Sequence, residues 1–415
     1  MSSNESTGGA DDAATGGLGD YMKTTTTQIK GTDPENVRQL CLRMCRQFVG
    51  GIWSTTSVQS VDNNILVKRL TGGLTNKIYL CQLLANNDDL ADDTDCPTKL
   101  VIRLNAKRFC IGHHQDVHKD YIMAPLLGQL GLGPKIYGIC PEGQVLQYYP
   151  HRHFTENDMT DKQLVGKLAK MLAQFHQLDA PISKHSDWIL DFCTDGLAKL
   201  VDRESELIEK FNEYNCLNFQ SIDLKLEMNW LIESLETYMS SHTTGVDTDT
   251  DTDTTTADRF VLTHADFRCG NIWVTNDSTG SLLLSDFDHS SYGSRGLDLG
   301  LLFSEFVRKS PIDFPDDQLM RRFIADYIGE SGRLCDGDVG DGNDDQKWSK
   351  RSVNSVDSVL NECKFFIIAY HLIVMFIIIM SDNEVPLDEK TSYAICDASI
   401  GIYIELKRKF IAHKK

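Results

Sequence analysis

No CxxC pair occurs among the twelve cysteines, which are spread from Cys41 to Cys396. Without paired spacing, neither a redox dithiol nor a cysteine metal site is expected of them. The amino terminus, MSSNESTGGADDAATGGLGD, lacks the apolar core that directs secretion, so the thiols are expected to stay reduced in the cytoplasm. Long apolar runs are scarce too. The run from Phe365 to Met380 has sixteen residues and contains His371, whereas a membrane-spanning helix needs about 20 apolar residues. The expectation is a buried core helix and no membrane span. Basic residues are in the minority, 41 against 60 acidic for a net charge of −19, and they form no stripe. That balance argues against nucleic acid or anionic membrane as the main partner.

What is present suffices for a sizeable core: 415 residues, 41% hydrophobic, which predicts two lobes or domains. The chain is organised around the stretch from Phe260 to Phe306. Two apolar runs of strand type, Phe260 to Leu262 and Leu282 to Leu284, each end in a polar cluster. The first cluster holds His264, Asp266 and Asn271, the second Asp286 and Asp288. In phosphoryl transfer an Asp accepts the hydroxyl proton, and an Asn soon after it binds metal. An Asp beyond the next strand then binds the Mg²⁺ that bridges the nucleotide phosphates. Asp266, Asn271 and Asp286 fit those three posts. Concentrated phosphate charge calls for a divalent ion with hard oxygen ligands, which Asp and Asn supply. Asp288, two residues on in an extended segment, returns to the same side as Asp286 and can reach metal or substrate. Alone, HxDxxxxN also fills ordinary turns; the following strand and DFD give it weight.

Residues 1–32 lack periodicity and are expected to form a disordered tail. Asp33 as N-cap and Pro34 in the first turn open a helix to about Phe48, with Val37, Leu40, Cys41, Met44 and Phe48 on its apolar face. A hairpin with Gly72 and Gly73 at its tip follows, then a third strand, KLVIRLNA. A glycine tip lets backbone N–H groups approach phosphate oxygens. Arg103, central in VIRL, lies among apolar neighbours, so its charge needs an anionic partner. GLGPKIYGICPEGQVLQYYP reads as two short strands around a turn, then a linker from Gln147 to Pro150. Thr160 and Gln163 have a capping-box pattern ahead of a helix faced by Leu164, Leu168, Met171, Leu172 and Phe175. Another helix covers about 224–239, and residues 240–257 are a low-complexity insertion. The acidic loop from Cys335 to Gln346 lacks the Gly and Glu of a calcium loop and reads as solvated.

In these motifs the sequence resembles the choline/ethanolamine kinase family: HADFRCGN, a strand, DFD, SSYGSRGLDLG and FSEF, with GLGPKIYG upstream. SSYGSRGLDLG is nearer to the choline branch. The similarity extends from about Arg38 to about Lys409, apart from the Thr/Asp tract and the acidic loop. It implies an α+β, two-lobed protein-kinase-like fold, with a small β-rich N-lobe over 33–147 and a large, mainly helical C-lobe over 148–415. It implies transfer of the γ-phosphate of ATP, with Mg²⁺, to the hydroxyl of choline or ethanolamine, and suggests a homodimer. In that scheme Asp266 orients and deprotonates the hydroxyl, His264 braces the catalytic loop, and Asn271, Asp286 and Asp288 hold metal. The nucleotide lies against Gly72, Gly73, Leu74, Thr75 and Asn76, against Arg103, and against a linker containing Gln147 and Tyr149. Counting back from GLGPKIYG makes Asp120 the partner of Arg103, where family members have Glu.

Asp266, Arg268, Asp288, His289 and Glu305 are expected to face the amino alcohol, and Asp298 to anchor a buried loop. The substrate pocket departs from the family. His289, Val374 and Ile377 stand where the family has aromatics, Leu301 and Leu302 where it has Asn-His, and Arg268 where the choline branch has Gln. Phe303, Phe306, Tyr370, Phe376 and Tyr393 are the candidate replacements. Three alternatives stay open: an ethanolamine-preferring enzyme, a kinase of the aminoglycoside phosphotransferase type, and a pseudokinase. GLGPKIYG and RGLDLG weigh against the second; Asp266, Asn271 and Asp286 together weigh against the third.

Overall fold

A computed structural model describes residues 35–55, 65–70, 77–84, 97–105, 119–184, 188–239, 259–277, 280–337, 347–380 and 388–413. The tail with Asp33 and Pro34, the segment Gly72 to Asn76, the Thr/Asp tract and most of the acidic loop lie outside the described residues.

Every second residue of KIYLCQL and KLVIRL is buried, Tyr79, Cys81 and Leu83 in one and Leu100, Ile102 and Leu104 in the other. That alternation makes each a strand with one face on a core. Five strands, β1 (Ile65–Leu70), β2 (Lys77–Leu83), β3 (Lys99–Leu104), β4 (Ile136–Cys140) and β5 (Gly143–Gln147), form one antiparallel sheet in the order β1-β2-β3-β5-β4. Helix α1 (Glu35–Phe48) covers it. Its buried stripe is centred on Cys41, Met44 and Cys45, with Val37, Leu40 and Phe48 at the half-buried edge. Helix α2 (Lys119–Gln129) turns Met123, Ala124 and Leu127 toward the second, larger core.

That larger core belongs to the helical remainder. In chain order it contains β6 (His151–His153), α3 (Lys162–His176), α4 (Trp188–Asp202), α5 (Glu204–Glu213) and α6 (Leu224–Met239). Next come β7 (Phe260–Thr263), β8 (Ile272–Thr275), β9 (Leu282–Leu284), β10 (Ser291–Ser294) and α7 (Arg295–Ser304). Helices α8 (Asp317–Asp336), α9 (Val356–Met380) and α10 (Glu389–His413) complete it. The two expected apolar strands are β7 and β9. Two more, β8 and β10, pair antiparallel with β9 and β7 respectively. The cap of α3 is Asp161, not Thr160. Its carboxylate accepts from Gln163 N at 2.9 Å and Leu164 N at 3.2 Å, while the Thr160 hydroxyl is spent on the Asn157 carbonyl.

RGLDLG forms the first turns of α7, and its glycines have a packing reason. A Cβ on Gly300 would lie 2.5 Å from Phe366 Cβ and 2.8 Å from the Phe366 carbonyl carbon; one on Gly296 would lie 2.4 Å from the Phe366 ring. Spaced four apart on one helix face, the two glycines let α9 approach the α7 backbone. Between the helices, buried Arg295 pairs with Glu362 at 3.2 Å and donates to Asn354 Oδ1 at 2.6 Å and to the Val353 carbonyl at 2.8 Å. Helix α9 is apolar and long enough to cross a membrane, yet 78% of its most apolar window is buried inside the molecule, against α7, α8 and α10.

His371 of α9 is buried and its Nε2 has no hydrogen-bond partner among the described residues. Burial, then the nearby Lys309 charge, pushes the imidazole down from 6.5 to about 3. The unfolded chain therefore takes up a proton below pH 6.5 that the folded chain refuses until about pH 3, so stability falls over that interval as pH drops. At one unit below the unfolded value this group costs about 1.4 kcal/mol. Urea unfolding at pH 7.5 and 5.5 should show a smaller acid-induced loss in His371→Leu than in the native chain. An equal loss in both would contradict this account.

Candidate functional site

The site begins where β7 ends. From Thr263 the chain turns through His264 and Ala265, and Ala265 is held at φ 60°, a left-handed conformation that costs a non-glycine residue free energy unless its surroundings enforce it. Asp298, in the first turn of α7, supplies that enforcement. It accepts the His264 N–H at 2.7 Å and the Ala265 N–H at 2.8 Å, with the His176 Nε2 atom 3.0 Å from the same carboxylate. The other ring nitrogen of His176 lies 2.8 Å from the Tyr327 hydroxyl, so the anchor reaches from α7 through α3 to α8. Asp298 thus anchors a buried loop, as expected, and does so from a helix. His264 is wholly buried, its Nε2 3.0 Å from the Ser285 carbonyl. It braces the loop against the strand end that carries Asp286.

Asp266 follows. Asn271 donates its Nδ2 to Asp266 Oδ2 at 2.7 Å and to the Asp266 carbonyl at 2.9 Å, closing the loop over five residues. With Nδ2 occupied there, the amide oxygen of Asn271 faces the other way. Arg268 donates its Nε to both Asp266 oxygens, at 2.9 and 3.1 Å. The neighbouring Asp266 charge outweighs burial and holds the Arg268 guanidinium more firmly charged than usual. Glu305, just past α7, accepts the Cys269 N–H at 2.6 Å and pins the other flank of the loop.

Across the cleft, Arg103 joins the sheet to the loop after β9. Its Nη1 meets Asp120 Oδ2 at 2.8 Å; its Nη2 meets Asp288 Oδ2 at 2.8 Å and Asp286 Oδ1 at 3.3 Å. Burial opposes the Arg103 charge, but Asp120, Asp288 and Asp286 outweigh it and raise its proton affinity. The shorter Asp at position 120 reaches the arginine after all, and Gln144 helps to aim it. Gln144 is paired directly opposite Arg103 across β3 and β5, is 1% exposed, and donates to Asp120 Oδ2 at 2.5 Å. A Cβ on Gly143 would lie 2.0 Å from the Arg103 carbonyl oxygen, so only glycine permits this approach. Asp286 itself has φ 70°, which Asp tolerates better than most residues.

Asp286 and Asp288 lie close enough to share one guanidinium nitrogen, and Asn271 is tied to the same strand end by its carbonyl, which accepts the Ser285 N–H at 3.0 Å. Among the described residues no three His, Cys, Asp or Glu side chains gather as a metal site of their own. Two carboxylates and an amide, with phosphates and water to finish the shell, are what a partly protein-held Mg²⁺ takes.

The choline/ethanolamine kinase family model matches residues 67–399. This chain belongs to that family. A choline/ethanolamine kinase of Mus musculus is 27% identical over 299 residues, covering 69% of this chain and 68% of the relative. Choline kinase A2 of Caenorhabditis elegans is 24% identical over 361 residues, with 76% of each covered. The solved structure of a choline kinase from Cryptosporidium parvum superposes with a TM-score of 0.58 at 15% identity, over 91% of this chain and 97% of that one, which bears out the two-lobed kinase-like fold.

Of the positions expected for a member of this family, Asp266 and Asn271 meet in one loop, Asp120, Asp286 and Asp288 gather on Arg103, and the Ser285 N–H to the Asn271 carbonyl joins the two groups at 3.0 Å. Gly72, Gly73, Leu74, Thr75 and Asn76 lie outside the described residues. In the linker, Gln147 N–H donates to the Lys135 carbonyl at 2.9 Å and its side chain accepts from the Tyr149 hydroxyl at 3.1 Å. His289 is half-buried on the turn after Asp288. Most aromatic replacements are used elsewhere. Phe303 and Phe376 are core residues, Phe306 packs edge-on against Phe303, and Tyr393 faces Phe211 and Tyr214. Tyr370 remains, within charge range of Arg268, Asp266 and Glu305. Val374, Leu301 and Leu302 are buried. Gln144 and the His176–Tyr327 support carry no motif and escaped the sequence reading.

Replacing Asp298 by Ala would orphan two backbone N–H groups at a left-handed turn. Unfolding free energy should drop by about 3 kcal/mol, and the amides of His264 and Ala265 should exchange with deuterium faster than neighbouring β7. Unchanged exchange there would refute the anchoring role.

Proposed function

We propose that this chain transfers the γ-phosphoryl group of ATP to the hydroxyl of an amino alcohol, choline or ethanolamine, giving the phosphorylated amino alcohol and ADP. The observation that carries the reading is the adjacency of two clusters, Asp266 with Asn271 and Asp286 with Asp288, joined where the Ser285 N–H donates to the Asn271 carbonyl at 3.0 Å, in a chain of this family. Asp266 accepts the hydroxyl proton, and Asn271 holds the carboxylate in place for it. Attack of the alcohol oxygen on the γ-phosphorus breaks the bond to the β-phosphate oxygen, which leaves with ADP. Arg103 contributes a fixed positive charge to the phosphates. The Asn271 amide oxygen, Asp286 and Asp288 are the residues that would hold Mg²⁺, which would neutralise phosphate charge there. Positioning and preorganised charge supply most of the rate, since the chemistry asks for little covalent help.

Residues 33–147 act as the nucleotide-binding lobe and 148–415 as the catalytic lobe; the sheet has a buried core of its own, while α2 of the first segment packs into the larger one. The backbone from Gln147 to Pro150 serves the adenine ring. The ten described cysteines are all free thiols, which supports a reduced, cytoplasmic setting. Burial of α9 supports a chain that does not span a membrane. A homodimer is what the resemblance implies for its assembly.

With purified protein, Mg²⁺ and ATP, Asp266→Asn should lower the rate of choline or ethanolamine phosphorylation by about 10³-fold, the size of a lost general base, while nucleotide binding persists. An Asp266→Asn protein as active as the native one would refute the assignment.

A further inference from the structure

The space in front of Asp266 holds a cation of its own. The Nε of Arg268 is shared between both Asp266 oxygens, whereas neither of its terminal η nitrogens has a hydrogen-bond acceptor among the described residues. The side chain is 29% exposed and folds back over Gly270, where a Cβ would lie 2.9 Å from Nη1. Glu305 and Tyr370 are within charge range of the guanidinium, and Glu305 is fixed by the Cys269 N–H. Among the described residues, then, one further carboxylate, Glu305, one guanidinium and the Tyr370 phenol ring stand beside the base.

We propose that Arg268 makes this site selective for a primary ammonium over a quaternary one, so that ethanolamine is preferred to choline. The inference rests on the phosphotransfer reading above. Only two carbons separate hydroxyl from nitrogen in either acceptor, so an alcohol bonded to Asp266 must bring its positive charge close to the arginine that grips the same carboxylate. A primary ammonium offsets that repulsion with charge-assisted hydrogen bonds to Glu305 or Asp266. A trimethylammonium has no N–H to donate, carries its charge on a bulkier group, and gains chiefly from aromatic faces. This site offers Tyr370 where several rings would be needed.

The test compares ethanolamine, its mono- and dimethyl derivatives and choline as acceptors for the native chain, Arg268→Gln and Arg268→Lys at saturating Mg²⁺ and ATP. Calorimetric binding of ethanolamine and choline, with Mg²⁺ and a non-hydrolysable ATP analogue, runs beside it. In the native chain kcat/KM should fall roughly tenfold or more from ethanolamine to choline, mainly through KM; Arg268→Gln should collapse that ratio and Arg268→Lys, which keeps the charge, should preserve its order. Equal or better use of choline by the native chain, or an unchanged ratio in Arg268→Gln, overturns the proposal. If no amine is phosphorylated but binding shows the same preference and the same collapse, the selectivity stands and the phosphotransfer reading fails. If neither amine binds, both fail. Should Arg268→Gln not fold, Arg268→Met supplies the neutral variant.

Discussion

One half-buried guanidinium joins the sheet to the loop that follows β9. Arg103 lies on a strand whose neighbours are apolar, where an unpaired charge would be strongly unfavourable, and it is balanced by Asp120 on one side and by Asp286 and Asp288 on the other. The converse holds as well: two carboxylates two residues apart repel unless a cation lies between them. Much local structure serves this contact. Cross-strand register sets Gln144 beside Arg103, Gly143 leaves room for the Arg103 carbonyl, and α2 delivers Asp120 from below. In the proposed phosphoryl transfer the same charge would pass from holding acids to holding phosphates.

The catalytic loop depends on a second arrangement, built from the RGLDLG segment. Gly296 and Gly300 bring α9 against α7, Arg295 and Glu362 fix the register between them, and Asp298 is thereby aimed at the amides of His264 and Ala265. The residues beside the chemistry, Ala265 and Asp286, both sit in left-handed conformations. Each costs about 1–3 kcal/mol unless the surroundings hold it. Rigidity in the α7–α9 pair is what makes the position of Asp266 definite.

Motif spacing carried Asp266, Asn271, Asp286 and Asp288 because their roles require short, fixed separations along the chain. Arg103 was also legible, since a lone charge in an apolar strand demands a partner, and the family resemblance named that partner as Asp120. What stayed hidden depends on contacts distant in sequence or on the detail of a local turn. Gln144 looks like any polar residue in a short strand until the β3–β5 register sets it opposite Arg103. Strand β10 is Ser-Tyr-Gly-Ser, buried throughout yet without an apolar run, so neither periodicity nor propensity announces it. The capping box at Thr160 was a near miss because Asp161, one residue on, makes the stronger acceptor. The pairing of Arg268 with Asp266 needs a tight turn, in which the Arg268 N–H returns to the Asp266 carbonyl at 3.0 Å.

The most direct measurement is the affinity for Mg²⁺ and ATP together, by isothermal titration calorimetry, in the native chain and in Arg103→Met combined with Asp120→Asn. The second substitution removes the buried acid that the first would strand. If Arg103 passes from acids to phosphates, the folded double variant should bind roughly 10- to 100-fold more weakly, the worth of one or two charge-assisted bonds. Native affinity in the double variant would contradict the account.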